Sequence, residues 1–248
     1  MALYVVYRAP LESKARSAIP RRLKNLGCLH LHKAFWKIDE KKIHEVLKVL
    51  KNNHPIIMKR LREIKNPNRA KKKAFSGLGS LVVVTFSLPK GANREKVTNF
   101  LRKAPCIRLR RSVYAFSQKR SVYEKETKLV TVIKFVNFIQ EIGGNVKIFS
   151  RMIILNPIAV ERLLEETKQR IETGVCNIVT SCKRMYAEAH AGKDTELIRA
   201  EFFRLKRRYL ILKKVCEVYQ VWLKINFSKV LMRAYHALRK VNKIIETT

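Results

Sequence analysis

Cys28-Leu-His-Leu-His-Lys-Ala-Phe-Trp-Lys-Ile38 overlies Cys106-Ile-Arg-Leu-Arg-Arg-Ser-Val-Tyr-Ala-Phe116 without a gap, at an offset of 78 residues. Leu29 and Leu31 alternate with His30 and His32, as Ile107 and Leu109 alternate with Arg108 and Arg110. That is the period-two pattern of a half-buried strand. Working outward at the same offset, Ile19 meets Val97, Leu23 meets Leu101, and Leu3-Tyr-Val-Val-Tyr7 overlies Leu81-Val-Val-Val-Thr85. Pro10 and Pro89 differ from this register by one residue, at the first loop, where an insertion costs little. The chain is internally duplicated.

Each copy reads alike. A short apolar run, Leu3–Tyr7 or Leu81–Phe86, is a buried strand that a proline ends. A basic amphipathic helix follows, Ser13 to Leu26 or Asn93 to Ala104, with Ser13 and Asn93 as N-caps and Gly27 and Pro105 as stops. Two short strands fold back as a hairpin. A second helix (Glu40–Lys51 or Thr127–Ile142, the latter closed by Gly143-Gly144) and a last strand (Ile56–Ile64 or Asn145–Ile154) complete the unit. The order βαββαβ is ferredoxin-like: one antiparallel sheet with two helices on one face.

The expected fold class is therefore α+β, with two tandem ferredoxin-like (βαββαβ) units followed by a C-terminal α-helical hairpin or small bundle. Unit 1 spans 1–65, a basic linker 66–80, unit 2 spans 81–156, and the helical region 157–248. In the helical region, Val160, Leu163, Leu164, Ile171, Val175, Ile178, Cys182 and Met185 recur at helical spacing to about His190. Asp194 can cap a second helix carrying Phe202, Leu205, Leu212, Tyr219, Leu223, Leu231 and Leu238, with a break near Asn226-Phe-Ser228.

Fifty-four lysines and arginines against 19 acids give a formal net charge of +35, positive in every one of these segments. Self-repulsion on this scale calls for a polyanion, and nucleic acid is the foremost candidate, DNA ahead of RNA. No run of 18 apolar residues exists, so no membrane partner is expected. The chain enters its first strand directly from Met1, so no secretory signal is expected and the setting is cytoplasmic. Five widely spaced cysteines without a CxxC pair read as buried, reduced thiols. No metal or cofactor is expected, and a homodimer stays open.

The pattern has a likeness. Strand Leu81-Val-Val-Val-Thr85, Leu88-Pro89, the helix with Phe100-Leu-Arg102 and the strand pair ending in Val113-Tyr-Ala-Phe116 resemble the N-terminal domain of the chromate-resistance regulator family. The first copy, with Arg21-Arg-Leu-Lys-Asn-Leu-Gly27 and Ala34-Phe-Trp-Lys-Ile38, is similar. So is the helical continuation, Arg151 through His190 and Ala200-Glu-Phe-Phe-Arg-Leu-Lys-Arg-Arg208. Related units occur in the phenylacetate-degradation repressor family and in small CRISPR-associated adaptation subunits. The resemblance implies DNA binding and transcriptional control. The CRISPR-associated subunits place an Asp at the end of the first strand; here Tyr7-Arg-Ala9 and Thr85-Phe-Ser87 carry no carboxylate, so a hydrolase of that type would lack its metal ligand. Nor is a winged helix recognisable.

The sharpest candidate site is Arg108, Arg110 and Arg111, with Arg108 and Arg110 expected to point outward together opposite Ile107 and Leu109. His30 and His32 hold the equivalent positions but lack a third ligand at metal-site spacing. Arg69, Lys71, Lys72 and Lys73 in the linker, Arg21 and Arg22 on the first helix, and Arg204, Lys206, Arg207 and Arg208 on the last long helix complete the nucleic-acid set. Trp36, Tyr114, Phe35 and Phe116 belong to the core. No nucleophile elbow, P-loop, dinucleotide fingerprint or paired-acid motif is present, so no enzyme is expected. The reading is a non-enzymatic DNA-binding regulator or architectural factor. The alternatives are an RNA- or ribosome-associated protein and a metal-independent nuclease on the CRISPR-associated framework.

Overall fold

A computed structural model describes residues 2–8, 13–32, 34–63, 78–118, 129–192 and 194–247. Its first half runs β1 (Ala2–Val6), α1 (Ser13–Asn25), β2 (Leu29–His32), β3 (Phe35–Asp39), a 3-10 turn (Glu40–Lys42), α2 (Ile43–Val49) and β4 (Ile56–Arg60). The second half repeats the order with β5 (Leu81–Ser87), α3 (Arg94–Arg102), β6 (Cys106–Arg110), β7 (Val113–Ser117), α4 (Val132–Glu141) and β8 (Asn145–Ile154). Three helices follow: α5 (Pro157–His190), α6 (Thr195–Leu223) and α7 (Ser228–Thr247).

Helix ends follow from local chemistry. Asn93 Oδ1 accepts from the amides of Glu95 (2.9 Å) and Lys96 (3.2 Å), and Asp194 Oδ1 from that of Glu196 at 2.9 Å. Each side chain satisfies amides that the first helical turn leaves without carbonyl partners. Lys224 adopts a left-handed φ of 58° after α6, and Asn226 Oδ1 accepts from the Ser228 amide at the start of α7, making the break expected there. Some elements are shorter than expected. The strand over 56–64 stops at Arg60 and gives way to a 3-10 turn, and the helix from Thr127 is described from Val132, with Thr131 as its N-cap.

All eight strands lie in one antiparallel sheet of order β2-β3-β1-β4-β8-β5-β7-β6. Outward from the centre, each half reads fourth, first, third, second. The halves meet where β4 pairs with β8, Met58 opposite Ile154 and Arg60 opposite Met152. The spans 1–65 and 81–156 thus share one sheet, and one compact unit holds all eight strands; the second unit is mainly Glu165–Thr248.

The pairing corrects the alignment of the first strand. Val5 lies opposite Trp36 and Val84 opposite Tyr114. Trp36 and Tyr114 are equivalent at offset 78, so the first strands are equivalent at 79, as are Pro10 and Pro89. The one-residue difference falls between strand and helix. The sequence hid this because Leu3, Tyr4, Val5, Val6 and Tyr7 are all buried, which leaves no alternation to set the phase.

Both faces of the sheet are covered. In the first half, Leu3, Val5, Trp36 and Ile38 pack with Ile19 and Leu23 of α1 and Val46 of α2. In the second, Phe86 and Phe116 meet Phe135 of α4, with ring centroids 5.4 and 6.0 Å apart. The helix-free faces carry Tyr4, Val6, Phe35 and Met58 in one half and Val83, Val113 and Ala115 in the other, all buried. The sheet curls until these faces meet. Phe149 of β8 stands edge-on to Phe35 of β3 at 4.9 Å, three strands away in sheet order, and Lys147 Nζ donates to the Leu31 carbonyl on β2 at 3.3 Å.

The second unit has its own core: Val175, Ile178 and Met185 of α5, Ile198, Phe202 and Leu205 of α6, and Ala234, Leu238 and Val241 of α7. Four cysteines are buried, as expected, but Cys176 is exposed, because it lies away from the α5 stripe through Val175 and Cys182. Burial holds the Cys182 thiol up at about 11 and the Cys216 thiol at about 12.

Candidate nucleic-acid interface

The β6–β7 hairpin turns at Arg111-Ser112, where Ser112 takes a φ of 65°. Arg108 sits opposite Tyr114, but Arg110 sits opposite Val113, so a bulge intervenes at Leu109. Neighbouring residues of β7 face opposite ways. Arg108 and Arg110 therefore do not project together, contrary to the simple alternation of the sequence. Arg108 and Arg111 are exposed, whereas Arg110 is half-buried. Burial pushes the Tyr7 phenol up, and the neighbouring Trp36 indole and the charge of Arg110 partly offset that rise. Arg108 and Arg111 are therefore the solvent-facing pair of this hairpin.

The first hairpin has the same bulge in the same place: His30 lies opposite Trp36 and His32 opposite Phe35. The His30 ring rests 4.6 Å from that of Trp36. The two histidines diverge, so they form no joint site. Among the described residues, no group of three His, Cys, Asp or Glu side chains could hold a metal ion.

Arg21 and Arg22 are exposed on α1, flanked by the buried Ile19 and Leu23 that anchor that helix. Arg69, Lys71, Lys72 and Lys73 lie outside the described residues. On α6, Arg204, Lys206, Arg207 and Arg208 are all exposed around the buried Leu205, but they do not form one face. Residues four apart on a helix are about 40° apart in azimuth, whereas Lys206 lies about 160° from both Arg204 and Arg208. Arg204 and Arg208 line a groove beside Ser181 of α5, while Lys206 Nζ stands 5.9 Å from the Phe202 ring.

Among the described residues, Arg21, Arg22, Arg108, Arg111, Arg204, Arg207 and Arg208 have no acidic partner. The acids near the α6 cluster are already engaged: Glu201 pairs with Arg184 of α5, Glu196 with Arg199, and Glu217 with Lys213. Sequence reasoning missed Arg184 and Ser181. Arg184 meets Glu201 across the turn between α5 and α6, a contact that depends on how the two helices pack rather than on local spacing. Against known proteins, the chain matches no family profile, no curated protein and no solved structure.

Proposed function

We propose that this chain is a non-enzymatic nucleic-acid-binding protein, a DNA-binding regulator or architectural factor, built from two ferredoxin-like units joined edge to edge and a C-terminal helical bundle. The observation that carries the reading is the set of exposed arginines without acidic partners among the described residues, on a chain of net charge +35. Guanidinium groups free of carboxylates are ready to accept phosphates, and bound phosphate would relieve the repulsion among them. The likeness to the chromate-resistance regulators points the same way. Ferredoxin-like architecture is supported by the repeated strand order, fourth, first, third, second, with a helix after each first and third strand. A cytoplasmic setting accompanies this reading. Among the described residues, no helix is long and apolar enough to cross a membrane.

The test is binding to two unrelated duplex DNAs over a salt series, comparing the wild type with Arg108→Ala/Arg111→Ala and Arg21→Ala/Arg22→Ala. For every phosphate that an arginine no longer neutralises, the slope of log K against log salt should become shallower by about 0.9, equally on both duplexes. Arg110 is spared because it is half-buried and its loss would disturb the hairpin. No duplex binding at low salt would overturn the proposal. Tighter binding to single-stranded or duplex RNA would select the RNA-associated alternative.

A further inference from the structure

The groove between α5 and α6 has a composition that phosphate contact alone does not explain. It has a volume of about 490 Å³, within the range of small-ligand sites. One wall is apolar and open to water: Leu197 is 70% exposed, with Ala200 beside it, above a floor closed by the buried Leu205. Arg204 and Arg208, one turn apart, line the same groove further along α6 and have no acidic partner among the described residues. The carboxylate in the groove, Glu201, is held by Arg184, which cancels its repulsion toward an anion. Ser181 adds a hydroxyl from the facing helix.

We propose that this groove binds a small organic anion with an apolar body, its charged head between Arg204 and Arg208 and its body against Leu197 and Ala200. Two adjacent guanidiniums favour a carboxylate or a phosphate monoester, which can accept several N–H bonds at once. The exposed leucine wall supplies burial that a bare inorganic ion could not use. Arg204 and Arg208 belong to the exposed set described above, but the site needs only a small anion and does not depend on duplex binding.

Titration calorimetry with 1-naphthyl phosphate, 1-naphthoate, inorganic phosphate and 1-naphthol tests the proposal on the full chain. Both naphthyl anions should bind at one site per chain, at least about tenfold tighter than inorganic phosphate or 1-naphthol. Arg204→Gln/Arg208→Gln should weaken both anions about tenfold or more, whereas Arg239→Gln/Lys240→Gln, an equal charge loss on exposed positions of α7, should change them less than about twofold. Leu197→Ser, also at an exposed position, should weaken the naphthyl anions and leave inorganic phosphate unchanged. Equal losses in the two double variants, or inorganic phosphate binding as tightly as naphthyl phosphate, would overturn the assignment. So would displacement of naphthyl phosphate by a short oligonucleotide whose own affinity falls equally in Arg204→Gln/Arg208→Gln, which would make the groove part of the polymer interface. Failure of duplex binding alone would leave the groove result standing.

Discussion

Phe149→Ala tests the central packing of the sheet. Phe149 is 8% exposed, lies edge-on to Phe35 at 4.9 Å, and has its ring 6.2 Å from that of Tyr4. Those partners belong to the other copy, so this side chain ties the two helix-free faces together. Truncating a buried Phe to Ala costs about 3–5 kcal/mol through lost transfer energy and the cavity left behind. The edge-on aromatic contact accounts for about 0.5–1.5 kcal/mol beyond burial, and the slight exposure of the ring moderates the total. We expect a loss of about 3–4 kcal/mol. Ile148→Ala is the matched control: it is the preceding residue of the same strand, on the opposite face and 50% exposed. It should cost at most about 1 kcal/mol, because much of its area stays in water either way. Urea titrations followed by circular dichroism measure both changes. A Phe149→Ala loss under about 1 kcal/mol, or an Ile148→Ala loss exceeding it, would refute the meeting of the two faces.

Burial of Cys216, whose thiol is held at about 12 against 9.0 when unfolded, makes the protonated form part of the native bundle. Because the folded pKa is the higher one, this contribution is fully present below pH 9 and is lost as pH rises toward 12; between pH 9 and pH 11 it should fall by roughly 2 kcal/mol. Cys216→Ala should flatten the alkaline limb of the stability profile by that amount, and an unchanged limb would contradict the burial argument. Asp194→Ala removes the cap on the Glu196 amide and should cost about 1 kcal/mol, while Asp194→Ser should recover most of it in thermal melts. Recovery by Asp194→Ala/Lys224→Gly in place of serine would indicate that the left-handed C-terminal residue, rather than the cap, limits α6.

The repeat, the hairpins, the capping residues Asn93 and Asp194, and the change to helical period after Asn156-Pro157 were all legible, because each rests on chemistry within a few residues. Two features were not. The first-strand register was hidden because both faces of β1 and β5 are buried, so Tyr4 and Val5 look alike to any pattern of polarity. The bulges at Leu31 and Leu109 were hidden because a bulge adds a residue without changing residue types. That affected the site directly: Arg108-Leu-Arg110 reads as a two-pronged strand face, yet only Arg108 and Arg111 reach solvent fully. The α6 cluster was legible as charge but not as geometry, since Arg204 and Arg208 are separated from Lys206 by the turn of the helix.

The double burial also constrains how nucleic acid can be met. An open four-stranded sheet with helices behind it can offer its free face as a platform on which bases stack. Here that face is spent in both halves: Tyr4 and Phe35 are 3% and 0% exposed, and the equivalent positions in the second copy are Val83 and Val113, also buried. The aromatics that would stack bases instead hold the halves together through Phe149. Among the candidate arginines described in this unit, Arg108 and Arg111 at the hairpin tip and Arg21 and Arg22 on the helix flank stay exposed to a polyanion. Such surfaces suit phosphates rather than base edges. On the proposed reading, a protein built this way would hold nucleic acid by its backbone, and any preference for a particular sequence would have to come from the shape of the duplex or from segments other than the sheet face.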